Sequence, residues 1–299
     1  MKIVFMGTPD FALTALKALS QKHDIICVYT QAPKEANRGH KLTKSSVHLF
    51  AEENNIPIRT PKTLRTEAEK TIFKELNADI TIVAAYGLIL PTEVIEAFPK
   101  GCVNIHGSLL PRWRGAAPIQ RAIEEGDDKT GITIMNVVEA LDAGDMLIKE
   151  ELPINSNTTG KTLHDAMANL GAKLIIQYLD NIDNIMPEKQ DETLVTYAKK
   201  IEKAEALLDF SLPSDVLERK IRAFNPYPAT YFEHNNERFK IYKAKISDKV
   251  LPHGEILEEA SRLFIGTKDN ALEILEIQKP GKKTMPVKDL LNGFSFKSS

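Results

Sequence analysis

The sequence predicts an α/β fold in two parts: a doubly wound parallel sheet, then a smaller C-terminal β-barrel. Three observations carry this. Apolar runs of strand length alternate with helix-period segments over about the first 190 residues, the signature of βαβ units. The pattern breaks near Met186-Pro187, where the text turns polar and Lys/Glu-rich. After Pro226-Tyr227-Pro228 it becomes short strands separated by turn residues. The expected division is a Rossmann-like domain at 1–188, a linker at 189–208 and an OB-like barrel at 209–299. A length of 299 residues fits two domains better than one.

Taken in order, Ile3 to Met6 is a buried parallel strand that stops at Gly7. Asp10 stands where a helix cap belongs, ahead of Phe11, Leu13, Leu16 and Leu19 at helical spacing. Ile25 to Tyr29 is the next strand. Residues 31–48 read as a long mobile basic loop carrying Lys34, Arg38, Lys41 and Lys44 against the single acid Glu35. Helices are expected at 47–53 and 62–77, and a buried strand at Ile80 to Ala85 that ends in Tyr86-Gly87. Val103 to Ile105 is a strand running directly into a polar loop. Ile132 to Val138 alternates as a half-buried or edge strand would. Thr158 to Asn181 is helical, with Leu163, Met167, Leu170, Leu174 and Tyr178 on one stripe. Ser214 caps a short helix, and His234-Asn235-Asn236-Glu237 is a hairpin turn.

Composition narrows the function classes. The chain is 42% apolar and 27% charged with a net charge of -2, so no global field draws it to a polyanion. Nucleic-acid contact would have to come from local patches. In 209–299 there are 15 Lys/Arg against 13 Asp/Glu, with clusters at Lys240, Lys243 and Lys245 and at Lys279, Lys282 and Lys283. Cys27 and Cys102 have neither metal-ligand nor redox spacing, so no metal site is expected and a reducing cytoplasm fits. Gly7 arrives too early for a signal-peptide core, and no apolar run is long enough to span a membrane.

The chemistry concentrates between Asn104 and Gln120. Asn104 and His106 are two apart on an extended segment, so their side chains share a face. An amide and an imidazole converging on one oxygen can stabilise a tetrahedral oxyanion, and the imidazole can also move a proton. In Leu141-Asp142-Ala143-Gly144-Asp145 a carboxylate can orient the histidine or take a proton from an attacking amine. The residues alone do not choose between Asp142 and Asp145. Arg112 and Arg114 flank the only tryptophan, Trp113, and read equally as an anion contact or a salt-bridge cluster.

Val103-Asn104-Ile105-His106-Gly107-Ser108-Leu109-Leu110-Pro111, followed by Arg112-Trp113-Arg114-Gly115, resembles the folate and catalytic segment of the folate-dependent formyltransferase family. The Leu141 to Asp145 loop resembles its catalytic aspartate loop. Gly7 to Ala12, Ala85 to Pro91, Asp191 to Thr193, Tyr197-Ala198 and Arg222 to Pro226 match as well, so the likeness covers nearly the full length. Within the family, the second domain and the basic loop resemble those members that act on aminoacylated tRNA. The resemblance implies formyl transfer from 10-formyltetrahydrofolate, without a metal, to the α-amine of methionyl initiator tRNA. It implies catalysis by Asn104, His106 and Asp142, selecting Asp142 over Asp145. It implies a folate site at Ser108, Leu109, Leu110 and Pro111 with Tyr86, Gly87, Leu88, Ile89 and Leu90. Arg38, Lys41 and Lys44 would meet the tRNA. A cytoplasmic monomer is expected. The alternative is another amine acceptor, on a nucleotide or an amino sugar; release of formate to water is a further rival.

Overall fold

The structure is a computed structural model and describes residues 1–36 and 41–297. In chain order the elements are β1 (Lys2–Gly7), α1 (Asp10–Ser20), β2 (Asp24–Tyr29), β3 (Lys34–Ala36), β4 (Lys41–Thr43), α2 (Ser46–Glu53), β5 (Ile58–Arg59), α3 (Glu67–Glu75), β6 (Ile80–Ala84), α4 (Thr92–Ile95), β7 (Cys102–His106), β8 (Arg114–Gly115), α5 (Pro118–Glu125), β9 (Lys129–Asn136), β10 (Met146–Pro153), α6 (Gly160–Asp180), β11 (Tyr197–Ala198), α7 (Ser214–Ala223), β12 (Thr230–His234), β13 (Glu237–Ser247), β14 (Ile256–Glu259), β15 (Arg262–Gly266), β16 (Ala271–Gln278), β17 (Met285–Pro286) and α8 (Val287–Leu291). They form two compact units. One comprises residues 1–118, 130–152 and 164–198; the other comprises 119–129, 153–163 and 199–299.

In the first unit a seven-stranded sheet has the order β10-β9-β7-β6-β1-β2-β5. β1 lies between β2 and β6 and is parallel to both, and β5 and β7 extend the parallel set. The chain leaves β1 toward β2 on one side and later enters β6 on the other. The loops at their carboxyl ends therefore diverge and open a crevice, where doubly wound sheets bind ligands. Gly7 ends β1 there because a Cβ would sit 2.6 Å from the Ala12 Cβ and 2.9 Å from the Ala84 carbonyl. The strands read as apolar runs because both faces are covered: Ile3, Val4, Phe5 and Met6 are all fully buried. Each such side chain contributes roughly 1.5–3 kcal/mol by leaving water.

Several expectations change in detail. Helix α1 starts at Asp10 behind Pro9 and has no side-chain cap, so Asp10 supplies charge to the first turn instead. Residues 132–136 of that segment belong to β9, an interior strand, with β10 beyond it at the sheet edge. β10 escaped the sequence reading because Met-Leu-Ile-Lys-Glu-Glu-Leu-Pro carries the charges and proline of an edge strand. The basic stretch expected to be a loop contains an antiparallel pair, β3 with β4, which aligns Lys34 with Thr43. Residues 37–40 between them lie outside the described residues.

In the second unit the expected small barrel takes the form of an all-antiparallel sheet, β12-β13-β16-β15-β14, with β17 on β16. Asn235 and Asn236 turn between β12 and β13 with φ of 50° and 61°, the two left-handed positions that a tight hairpin needs. Leu217 and Ile221 of α7 pack with Phe239, Ile241 and Ile274 of the sheet. Ser214 begins α7 but is not its cap; its amide donates to Asp269 Oδ1 at 2.9 Å. Among the described residues, no helix is long and apolar enough to cross a membrane.

Candidate active site

His106 ends β7 and is 4% exposed. Its Nε2 lies 3.0 Å from the Trp113 carbonyl oxygen. A carbonyl only accepts, so Nε2 carries the hydrogen and Nδ1 is the nitrogen free to exchange a proton. Nδ1 faces Asp142 Oδ2 at 3.7 Å. Asp142 Oδ2 also accepts the Gly115 amide at 2.8 Å, which fixes one carboxylate oxygen beside the ring. Asn104, two residues back on β7, is half-buried and pairs in the sheet with Val83 and Met135. The structure thus brings His106 and Asp142 together, with Asn104 on the same strand. Asp145 lies one turn further on; its carbonyl accepts the Asn136 amide.

The aspartate loop is tightly constrained. Asp142 has φ of 50°, a left-handed conformation that short polar side chains tolerate. Two residues later, a Cβ on Gly144 would lie 1.9 Å from the Asn136 carbonyl oxygen, so only glycine fits. Trp113 also has positive φ, at 66°, which is strained for a bulky residue. Its backbone is held by Thr196, whose Oγ1 accepts the Trp113 amide at 3.0 Å and whose carbonyl accepts the Arg114 amide at 2.9 Å. The Arg112 guanidinium stacks 4.3 Å over the Trp113 ring. Arg114 is 3% exposed and is neither a surface cluster nor an open anion site, because it pairs with Glu192 at 2.7 Å. Burial opposes its charge, yet Glu192 and Tyr197 hold its pKa above the usual arginine value.

Other predicted residues take varied places. Ser108 is buried, and its hydroxyl donates to the Arg112 carbonyl at 2.6 Å, so it shapes the loop from within. Leu110 is buried against Met135 and Met146, while Leu109 and Pro111 are half-buried. After β6, Tyr86 and Leu90 are buried, Gly87 is exposed, Leu88 is half-buried and Ile89 stands 67% exposed at the lip. The Tyr86 carbonyl accepts from Gln31 Nε2 at 3.1 Å and from the Thr8 hydroxyl at 3.2 Å, tying the β1, β2 and β6 ends together. Thr8 lies in the Gly7 to Ala12 stretch singled out in the sequence, whereas no short-range signal marks Gln31. Arg38 lies outside the described residues. Lys41 is placed by its backbone in β4, its side chain also lying outside them. Lys44 is exposed and paired with Glu52 at 2.6 Å. Residues 189–198, read as linker, supply Gln190, Glu192 and Thr196 to the first unit.

The formyl transferase family matches residues 1–179, and the formyl transferase C-terminal domain matches residues 200–295. The chain belongs to the formyl transferase family. Among solved structures it is similar to the N-formyltransferase from Helicobacter canadensis in complex with folinic acid and dTDP-3-aminofucose. That likeness is at 21% identity, covering 93% of this chain and 99% of that one, with a TM-score of 0.68. It is similar to WlaRD, a sugar 3N-formyl transferase, at 21% identity over 95% of this chain and 99% of that one, also with a TM-score of 0.68. HypX from Aquifex aeolicus with tetrahydrofolic acid matches at 17% identity and a TM-score of 0.66, covering 97% of this chain. This chain spans about half the length of HypX, 47%. At these identities the likenesses speak to the fold. Among the described residues, no group of three or more metal-type ligands occurs.

Proposed function

We propose that this chain transfers a formyl group from 10-formyltetrahydrofolate to the α-amine of methionine esterified to initiator tRNA. The observation that carries the chemistry is the His106 ring, held by one nitrogen and facing Asp142 Oδ2 at 3.7 Å with the other. Asn104 donates to the formyl oxygen as charge develops on it. His106, when protonated at Nδ1, faces the same region with a positive charge balanced by Asp142. Asp142 orients that charge and accepts the proton released by the attacking amine, directly or through water. The bond from the formyl carbon to the folate nitrogen breaks and that nitrogen gains a proton, so no redox change and no metal is required. Folinic acid, tetrahydrofolate and 5-N-formyltetrahydrofolate in the neighbouring structures support a folate donor. In this chain the apolar lip of Leu88 and Ile89, backed by buried Leu90, is suited to a flat heterocycle. Leu109 and Pro111 offer a second wall, and Ser108 acts through backbone shape.

The acceptor reading rests on the full-length resemblance, the basic stretch with Lys34, Arg38, Lys41 and Lys44, and the lysines of the second unit. A second reading has a specific observation in its favour: one solved neighbour is in complex with dTDP-3-aminofucose, and another, named a sugar 3N-formyl transferase, was solved in the presence of dTDP. One experiment separates the two. The protein is given 10-formyltetrahydrofolate with methionine-charged initiator tRNA or with a dTDP-amino sugar, and N-formyl product is quantified. Product on the tRNA alone supports the first reading, and product on the sugar alone moves the assignment to the second. Formate release with neither product overturns both.

A further inference from the structure

Gln190 touches the aspartate loop at two points. Its Nε2 donates to the Asp142 carbonyl at 2.8 Å and to the Gly144 carbonyl at 2.8 Å. Its Oε1 accepts from Arg114 Nε at 3.0 Å. All amide groups are used with one polarity: both hydrogens point at carbonyls, and the oxygen points at a cation. Glutamate in the same place would set an acceptor against two acceptors. Arg114 is in turn held by Glu192 at 2.7 Å. The backbone on either side of Arg114 grips the two reacting side chains. The Trp113 carbonyl accepts from His106 at 3.0 Å, and the Gly115 amide donates to Asp142 Oδ2 at 2.8 Å.

We propose that Gln190 is a positioning residue: the bridge from Arg114 through Gln190 locks the loop so that the Asp142 carboxylate stays against His106. The proposal rests on the catalytic reading above. Its physical basis is that Asp142 sits in a left-handed conformation, with φ of 50°, and that the carbonyls of Asp142 and Gly144 both bond to the one Gln190 amide. The two bonds to backbone oxygens hold the loop, and the charged Arg114 guanidinium anchors the amide that makes them. A shift of about 1 Å in a catalytic group can cost about a hundredfold in rate.

The test uses the full-length protein carrying Gln190→Ala, with exposed Lys189→Gln as the control. Amide exchange is followed by NMR at three adjacent positions. The Arg114 and Ala116 amides are bonded to Thr196 and Ala198 carbonyls, whereas the Gly115 amide is bonded to Asp142. The expected result is faster exchange at Gly115 by about tenfold or more, with Arg114 and Ala116 unchanged. In turnover, kcat should fall about 10- to 100-fold with KM for the donor within about twofold. The same substitution in an Asp142→Asn background should cost little more, because the group it positions is already lost. Gln190→Glu keeps the shape and is the second variant, with the same expectations. Unchanged Gly115 exchange with parental kcat overturns the proposal, as does a uniform rise at all three amides, which would mark a merely structural role. If the parent formylates no acceptor, the catalytic reading fails, and the exchange result still reports on the bridge.

Discussion

At the scale of single residues, the proposed roles give the loss of a few atoms a predictable cost. His106→Ala and Asp142→Asn should each lower kcat about 10²- to 10⁴-fold while the melting temperature changes little. The check is steady-state turnover beside thermal melts. Asn104→Ala should cost about 10²- to 10³-fold in kcat, as removal of one oxyanion donor does elsewhere. Gly144→Ala should act on the fold instead. Its Cβ would meet the Asn136 carbonyl at 1.9 Å, so the loop must open, at a cost of about 2 kcal/mol or more in denaturant unfolding. Asn104 and His106 were legible as a pair because strand side chains alternate, and two residues apart means one face. That Asp142 and not Asp145 faces His106 could be seen only in the folded loop. Gln190 was illegible, because it lies 48 residues from the loop it holds in a stretch whose polarity resembles a linker.

At the scale of elements, the N-terminus of α7 rests on a residue from another loop. Asp269 accepts the Ser214 amide at 2.9 Å and is also bonded by Thr267 and Asn270, which lowers its pKa from 3.8 to about 2. A lowered carboxylate stabilises the fold above its ordinary pKa, and that stabilisation is lost as pH falls from about 4 toward 2. Unfolding midpoints between about pH 2 and pH 6 should therefore decline in the parent over that range. Asp269→Asn should decline less steeply and start from a lower midpoint; equal slopes would remove Asp269 from this role. The sequence named Ser214 as the cap because serine commonly is one, while the true acceptor comes from 55 residues downstream. Buried strands such as β1 and β6 were legible because both faces are covered and their text is uniformly apolar. β10 was not, because a sheet edge is written in lysine, glutamate and proline.

For the whole molecule, a net charge of -2 leaves any polyanion contact to local patches, and local patches respond strongly to salt. Under the tRNA reading, KM for charged tRNA should rise steeply with added KCl while KM for the donor stays nearly flat. Lys44→Glu, which also breaks the pair with Glu52, should raise KM for tRNA about 3- to 10-fold with kcat unchanged. Two flat salt profiles would count against that reading. The two-part organisation was legible from composition and strand pattern, but the interleaving was not, because nothing in the text of 119–129 or 153–163 marks these stretches as partners of residues beyond 199. That interleaving bears on birth as well as on the finished fold. Residues emerge from the ribosome in order, so the segment ending at 163 is made well before the C-terminal stretch with which it packs. At about 5–20 residues per second the wait is roughly ten seconds. Over that interval these segments have no completed unit to join, and the second unit closes only after residues 199–299 have emerged.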